Sequence, residues 1–241
     1  MKKELKNLIN MQYTDVTNCM HKIGDYDMPQ VYCPKVKIDY LALYTETGLY
    51  HKTKQTAVTF FQYDNVFDGL YGLWNAIYYN NPRLLTKFIK KFNGVRYMVA
   101  PDYSHTEDMD KFENYYRYAK ARIVSGWLTL VLGIIVIPLI TYSSREDFEL
   151  MLLGLEETEM VCVSTKGIAD DPNARCKLQD AIKYTVDNLK NLKSIVVYSV
   201  SKDENILDIF EYANNKGIGI VIPQNTLRER NLNKEVNNGK I

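Results

Sequence analysis

The stretch from Ile123 to Tyr142 reads IVSGWLTLVLGIIVIPLITY, and the way it folds decides the class of the whole chain. Its 20 residues carry no charge, and Lys120 and Arg122 lie just before it. An uncharged run of this length meets the criterion for a helix that spans a membrane. The length criterion identifies candidates for insertion without establishing it.

The alternative divides this run at Gly133. Residues 122–132 would then complete a buried helix, because glycine is the usual residue just past a helix end. Residues 134–141 are short and rich in β-branched side chains, as a strand covered on both faces should be. We favour the division into a helix and a strand, so no membrane attachment is expected.

The clearest helix and strand signals follow this run. The segment 177–192 places Leu178, Ile182, Val186 and Leu189 on one stripe, which predicts an amphipathic helix. A strand is predicted over 195–198, a helix over 206–214 and a final strand over 218–222.

Strands and helices also alternate on the amino-terminal side of the run. We predict strands at 36–45, 56–63 and 95–100, with one helix over Phe67–Tyr79 and a second that begins at Pro82. A helix over 109–132, a shorter one over 146–155 and a strand over 160–164 complete the series.

This alternation over short connections predicts an α/β fold with a parallel sheet and right-handed crossovers. Six or seven such units indicate a (β/α) barrel, in the form of an incomplete TIM-type barrel, since the complete form has eight strands. The alternative is an open parallel α/β sheet.

The units divide the chain into three parts. Residues 1–35 form an irregular or helical lead-in with a short helix expected at 7–13, residues 36–223 form a single α/β domain, and residues 224–241 form a polar tail. The tail is expected to be frayed or to form a terminal helix around Leu227–Val236.

Composition restricts the classes of function. The 241 residues contain 30 Lys and Arg against 29 Asp and Glu, so no chain-wide basic field attracts nucleic acid. A nucleic-acid partner would need a local basic patch. The four cysteines are too sparse for a disulfide scaffold, and the amino terminus lacks the apolar core of a signal peptide, so we expect a cytoplasmic protein.

Polar residues at the carboxyl ends of the strands are the candidate site, because parallel α/β folds bind ligands there. Asp64 and Asp102 are the candidate catalytic groups, as acid and base or as ligands of a divalent metal ion. The sequence contains no complete set of metal ligands and identifies no cofactor. The simpler interpretation, which we favour, is that these aspartates and Asp68 cap helix amino termini.

The candidate ligand-binding residues are Asp68, Ser104, Tyr142, Ser164, Thr165 and Lys166. The segment Ser164–Gly167 could offer backbone N–H groups and an ammonium to a phosphate, although it lacks the spacing of a phosphate-binding loop. Tyr142 belongs to a large set of tyrosines that could stack on bases or line a protein interface.

Several blocks of this sequence resemble a known family, the domain of unknown function 4417. They are Phe60–Asp68 (FFQYDNVFD), Val99–Ser104 (VAPDYS), Val136–Tyr142 (VIPLITY) and Val163–Gly167 (VSTKG). The resemblance extends over residues 36–222 and implies no established activity. Two departures are Tyr142, where the family tends to have Trp, and Ser199, where it tends to have Gly.

Members of this family occur in phages, plasmids and other mobile elements. The resemblance therefore implies a phage or mobile-element accessory protein that binds a host or phage macromolecule, in replication or in countering host defence. The partner itself is not identified. The alternative is a small barrel hydrolase that acts on a phosphorylated or nucleotide-like ligand through the carboxylates at the strand ends.

Overall fold

Parallel strands dominate the computed structural model, which describes residues 14–168 and 171–238. The short helix expected at 7–13 lies outside these residues. The strands are β1 Lys22–Ile23, β2 Met28–Pro29, β3 Tyr40–Leu43, β4 Thr56–Thr59, β5 Tyr97–Val99, β6 Ile135–Ile137, β7 Met160–Ser164, β8 Ser194–Tyr198 and β9 Gly219–Val221. The helices are α1 Thr14–Thr17, α2 Asp64–Phe67, α3 Leu73–Tyr78, α4 Pro82–Lys91, α5 Lys111–Leu132, α6 Phe148–Leu152, α7 Pro172–Asn188, α8 Glu211–Asn215 and α9 Thr226–Asn238.

The strands pair in the order in which they occur along the chain. One sheet has the order β3-β4-β5-β6 and the other has the order β7-β8-β9, and all pairs within them are parallel. The short strands β1 and β2 form a separate antiparallel pair. The chain is therefore a mixed α/β protein with parallel sheets.

Two isolated parallel bridges connect the edges of these sheets. Leu139, just after β6, is paired with Cys162 in β7. At the other edges, Tyr40 in β3 is paired with Gln224, which follows β9, and the Leu41 N–H donates to the Gln224 carbonyl at 2.8 Å. Each sheet thus continues into the other through backbone hydrogen bonds.

Successive side chains of β7 and β8 point to opposite faces and pack in two different hydrophobic clusters. In β7, Met160 and Cys162 pack in the hydrophobic cluster of the first sheet, whereas Val161 and Val163 pack in the second cluster with α6 and α7. Strand β8 alternates in the same way. Both faces of these strands are buried, which explains their nearly continuous apolar sequence.

The decisive run is divided at Gly133, as predicted. Helix α5 ends at Leu132, Gly133 adopts a left-handed conformation with φ of 68°, and β6 begins two residues later. The left-handed C-cap ends the helix because glycine has no Cβ to oppose it. Within the described part of the chain, no helix is long and apolar enough to cross a membrane.

The prediction of one helix over Phe67–Tyr79 is wrong. Helix α2 ends at Phe67 and α3 begins only at Leu73. Gly69 between them has φ of 99°, and a Cβ on Gly72 would lie 2.6 Å from the backbone of Asp68. The two glycines therefore allow a tight turn that an unbroken helix would not permit.

The first residues of the polar tail form buried hydrogen bonds and an ion pair with the rest of the chain. Asn225 is buried and donates to the Ser199 carbonyl at 2.8 Å, and its side-chain oxygen accepts from the Arg228 N–H at 3.0 Å. The Arg228 guanidinium is also buried and forms an ion pair with Asp203. These contacts explain why α9 forms where a frayed tail was the other expectation.

Candidate functional site

Three strand ends meet at one cavity. Asp102 follows β5, Thr141 follows β6 and Ser164 is the last residue of β7. The cavity has a volume of about 300 Å³. It is lined by Phe61, Asp102, Leu139, Ile140, Thr141, Tyr142, Ser164, Lys166, Ile168, Ala174, Lys177 and Leu178. The residues come from both sheets, so the site lies where their carboxyl edges adjoin.

A second cavity of about 520 Å³ adjoins the first. It is lined by Leu43, Phe61, Gln62, Tyr63, Val66, Asp102, Ser104, Ser164, Lys166 and Gly167. Phe61, Asp102, Ser164 and Lys166 line both cavities. We call the two together the strand-end cleft. A ligand could extend from one cavity into the other past these four residues.

Asp102 is the most unusual group in the cleft. Its carboxylate has no hydrogen bond and no ion pair with any described residue. Burial raises the pKa of Asp102 to about 7, with a further increase from the negative charge of Asp64 and an opposing effect from Lys166. A carboxyl group with a pKa near neutrality can both accept and donate a proton at physiological pH.

Lys166 supplies the positive charge of the cleft. Its side chain is exposed and forms no ion pair within the described ranges. Lys177 also lines the first cavity, but its ammonium is bound to Glu107. Lys166 therefore remains available to an anionic ligand, close enough to Asp102 to influence its pKa.

Asp64 is held by groups that leave it little freedom. Its carboxylate accepts from the Ser104 hydroxyl at 2.9 Å and from the Ser104 backbone N–H at 3.2 Å. The Arg117 guanidinium lies 2.8 Å from Oδ2. These contacts make Asp64 a residue that positions Ser104 and acts on Asp102 through its charge, rather than a free base.

Asp68 and Thr165 do not line the cleft. The Asp68 carboxylate lies 2.5 Å from the Lys120 ammonium, which also lies 4.2 Å from the centroid of the Tyr103 ring. Thr165 is buried, and its N–H donates to the Tyr198 carbonyl between β7 and β8 at 2.9 Å. Of the sequence candidates, the cleft contains Asp102, Ser104, Tyr142, Ser164 and Lys166.

The interpretation of the three aspartates as helix caps is wrong. Helix α2 begins at Asp64 itself, and the side chain of its N-cap residue, Tyr63, makes no capping hydrogen bond to the helix. Asp68 is the C-cap of the same helix, and Asp102 precedes a loop. The carboxylates of Asp64 and Asp68 contact partners elsewhere in the chain, which is why their roles could not be deduced from the local sequence.

The cleft offers few ligands for a metal ion. No group of three or more His, Cys, Asp and Glu side chains there is arranged to hold a metal ion. The side-chain oxygen donors that line both cavities of the cleft are the Asp102 carboxylate and the Ser164 hydroxyl.

Sequence reasoning missed Phe61, Lys177, Arg117 and Lys120. Phe61 stacks on Tyr198 with ring centroids 4.4 Å apart and lies between the two cavities. Arg117 and Lys120 lie one helical turn apart on α5, and their partners Asp64 and Asp68 lie one turn apart on and after α2. Two cations and two carboxylates, each pair one helical turn apart, are visible in the sequence. Their spacing does not show that they form ion pairs, because the partners lie some 50 residues apart.

Comparison with known proteins gives the family. No curated protein matches this sequence. A family model described as "Domain of unknown function (DUF4417)" matches residues 20–215, which include the strands from β1 to β8 and every residue of the strand-end cleft. The chain belongs to the DUF4417 family.

Proposed function

We propose that this protein binds a phosphorylated or nucleotide-like small ligand in the strand-end cleft and hydrolyses it, with Asp102 as the proton-transfer group. The observation that carries the proposal is the Asp102 carboxyl, with a pKa of about 7, beside the Lys166 ammonium in a cavity where neither forms an ion pair with a residue that the structure describes. A buried ionisable group with a shifted pKa in a cavity is characteristic of catalytic sites.

The roles follow from the charges. The Lys166 ammonium binds the phosphate, and the hydroxyl of Ser164 donates a hydrogen bond to it. Water attacks the phosphorus atom and gives its proton to ionised Asp102, while the bond to the leaving oxygen breaks. Asp102 then returns the proton to that oxygen, so the carboxylate is regenerated.

In this proposal the strand-end cleft lies at the carboxyl ends of the strands of a single barrel. We infer that β3 to β9 form one incomplete TIM-type barrel of seven parallel strands. Support comes from the bridges Leu139–Cys162 and Tyr40–Gln224, which join the sheets at both pairs of edges. The shared packing of Met160 and Cys162 with the first sheet supports a common interior. Ligand sites of such barrels lie at the carboxyl ends of the strands.

A second candidate function is an accessory role for a phage or mobile element in the cytoplasm of a bacterial host. Membership of the family motivates it, because the resemblance implies that genetic setting. A groove lined by Tyr71, Tyr79, Arg83 and Lys87, separate from the strand-end cleft, supports a macromolecular partner.

Ligand binding is tested by thermal unfolding with inorganic phosphate, AMP, ADP and ribose 5-phosphate. A ligand at a hundred times its Kd should raise the midpoint by about 5 to 10 °C. Lys166→Ala should abolish the shift, and Lys190→Ala, at an exposed site after α7, should retain it. Equal shifts for both variants, or no shift with any probe, would contradict the proposed site.

Hydrolysis is tested separately by the release of inorganic phosphate from the ligand that binds. Asp102→Asn should keep the thermal shift and lose turnover by at least about a hundredfold, as expected for removal of a general acid–base group. Unchanged turnover in Asp102→Asn would show that this carboxyl transfers no proton in the reaction. Binding without turnover in the unsubstituted protein would reduce the function to ligand binding.

A further inference from the structure

A groove between α3 and α4 lies apart from the strand-end cleft. It has a volume of about 770 Å³ and is lined by Leu70, Tyr71, Asn75, Tyr79, Asn81, Arg83, Leu84 and Lys87. A shallower cleft of about 440 Å³ continues from it and is lined by Arg83, Thr86, Lys87 and Lys90. We call the two together the tyrosine–cation groove. It shares no lining residue with the strand-end cleft.

The stretch of sequence that forms this groove carries charge of one sign. From Gly69 to Pro101 the sequence contains no Asp or Glu, and its basic residues are Arg83, Lys87, Lys90, Lys91 and Arg96. A chain with almost balanced charge therefore concentrates positive charge in one segment. Such a local field attracts anions even when the net charge of the protein is close to zero.

Three cations line the groove. Arg83, Lys87 and Lys90 are exposed, and none of them forms an ion pair with a described residue. They follow one another at four and three residues along α4, which places them on one face of the helix. On α5, by contrast, Lys111, Arg117 and Lys120 are all paired with carboxylates.

Aromatic rings lie beside these cations. Tyr71 is 70% exposed and Tyr79 is 54% exposed, and Leu70 next to Tyr71 is 73% exposed. The Tyr79 ring is supported edge-on by Tyr78, with centroids 4.9 Å apart. Exposed apolar surface of this kind marks interaction sites. The amides of Asn75 and Asn81 also line the groove. Asn75 Nδ2 donates to the Gly69 carbonyl and Asn81 Oδ1 accepts from the Leu84 N–H, so within the described part of the chain Asn75 Oδ1 and Asn81 Nδ2 are left for a ligand.

We propose that the tyrosine–cation groove binds single-stranded nucleic acid. Bases stack on Tyr71 and Tyr79, and successive phosphates contact Arg83, Lys87 and Lys90. This combination of aromatic platforms with a basic track is what binding of unpaired strands requires. A duplex hides the faces of its bases, and an acidic peptide has no ring to stack on the tyrosines, so neither uses both features of the groove. The inference goes beyond the proposed hydrolysis and does not depend on it.

The test is fluorescence anisotropy of the full chain with labelled oligothymidylate and oligouridylate. Arg83→Glu/Lys87→Glu should weaken binding at least tenfold, because it replaces two phosphate contacts by repulsion. The control Lys183→Glu/Lys190→Glu changes the net charge by the same amount at exposed positions on and after α7, and should leave the Kd within twofold. Equal losses in the two double variants would show attraction by overall charge and overturn the proposal.

A second pair of variants tests stacking. Tyr71→Ala/Tyr79→Ala should weaken binding of the oligonucleotides about thirtyfold or more, since each tyrosine stacks on one base and each stack strengthens binding at least about fivefold. The same variant should bind heparin and polyglutamate as the unsubstituted protein does. With three phosphate contacts, log Kd should rise with log salt with a slope of about 2.

Three results would overturn the groove as a single-strand site. They are the absence of oligonucleotide binding at low salt, equal affinity for a duplex of the same sequence, and binding that is insensitive to the tyrosine substitutions. Because all the substituted side chains are exposed, unchanged midpoints of thermal unfolding verify that each variant is folded.

Discussion

At the scale of single residues, Asp102 links the proposed activity to stability. Its pKa in the folded protein is raised to about 7, mainly by burial. The unfolded chain ionises this carboxyl near pH 4. Between these two values the unfolded chain has lost the proton that the folded protein still holds, so ionisation favours unfolding. The contribution of Asp102 to stability therefore falls as pH rises from about 4 to about 7 and stays low above that.

Asp102→Asn should stabilise the protein more at pH 8 than at pH 5. The asparagine avoids the cost of ionising a buried group, and the difference between the two pH values should be about 2 to 3 kcal/mol. Denaturant unfolding at both pH values measures it. Asp208→Asn is the control: the hydrogen bond from Arg175 lowers the pKa of Asp208, so its carboxylate is ionised and stabilising at both pH values and its loss should cost about the same at pH 5 and pH 8. A pH-independent effect of Asp102→Asn would contradict the raised pKa.

A substitution at Lys120 tests the role of Asp68, which the sequence also predicted for the site and which pairs with the Lys120 ammonium. Lys120→Met should destabilise the protein by about 2 to 4 kcal/mol, because it leaves the half-buried Asp68 without its cation. Methionine keeps the contact with Tyr103, so the loss reports the charge. Lys111→Met, which removes the exposed pair with Glu146 on the same helix, should change stability by less than about 1 kcal/mol. Similar losses in urea unfolding would show that the pair with Asp68 is no stronger than a surface pair.

The sequence predicted which strand ends carry the polar residues, since that follows from the alternation of strands and helices. It could not separate Asp64 from Asp102. Asp64 is ion-paired with Arg117, whereas Asp102 has no ion pair with a described residue, and this difference depends on where α5 lies, not on the residues near either aspartate. Pairing across the fold is the information that a local pattern lacks.

At the scale of elements, Gly133 determines where α5 ends. Its φ of 68° is unfavourable for residues with a Cβ, whereas a Cβ built there would have no atom within 4 Å. Gly133→Ala should therefore destabilise the protein by about 1 kcal/mol for conformational reasons alone. Gly48→Ala, which is equally free of close atoms and lacks a positive φ, should be neutral or slightly stabilising. The midpoints in urea compare the two, and equal effects would exclude a conformational role for Gly133.

The sequence predicted whether a segment forms a helix or a strand better than it predicted the residues at which the helix or strand begins and ends. The run 36–45 is a strand only at Tyr40–Leu43, because the parallel register with β4 covers those four residues. Glycine signals succeeded at Gly133, where the helix pattern also ends. They failed at Gly69 and Gly72, since aromatic residues on both sides continued to fit a helix and concealed the turn.

At the scale of the whole molecule, the sequence predicted successive strand–helix units but not how the two sheets join. The joining bridges involve single residues outside the strands, Leu139 and Gln224, which carry no periodic signal. Asn225, next to Gln224, also has no sequence pattern that would predict its burial in a polar tail. Its side chain nevertheless donates a hydrogen bond to the Ser199 carbonyl and so connects the start of α9 to the loop after β8.

A substitution at Asn225 tests the proposal that the two sheets join into one barrel. Both tryptophans, Trp74 and Trp127, belong to the core of the first sheet, so fluorescence reports on that half while circular dichroism reports on the whole chain. Asn225→Ala removes two buried hydrogen bonds and should cost about 1 to 3 kcal/mol. If the sheets form one closed cooperative unit, both signals should shift to the same lower midpoint in urea.

Asn231→Ala is the matched control, because it removes one exposed hydrogen bond from the same helix to the Val200 carbonyl. It should lower both midpoints only slightly. A fluorescence midpoint that stays unchanged in Asn225→Ala while the dichroism midpoint falls would mean that the two sheets unfold separately. The chain would then behave as two adjoining parallel sheets, and the cleft that depends on both would lack a common rigid frame.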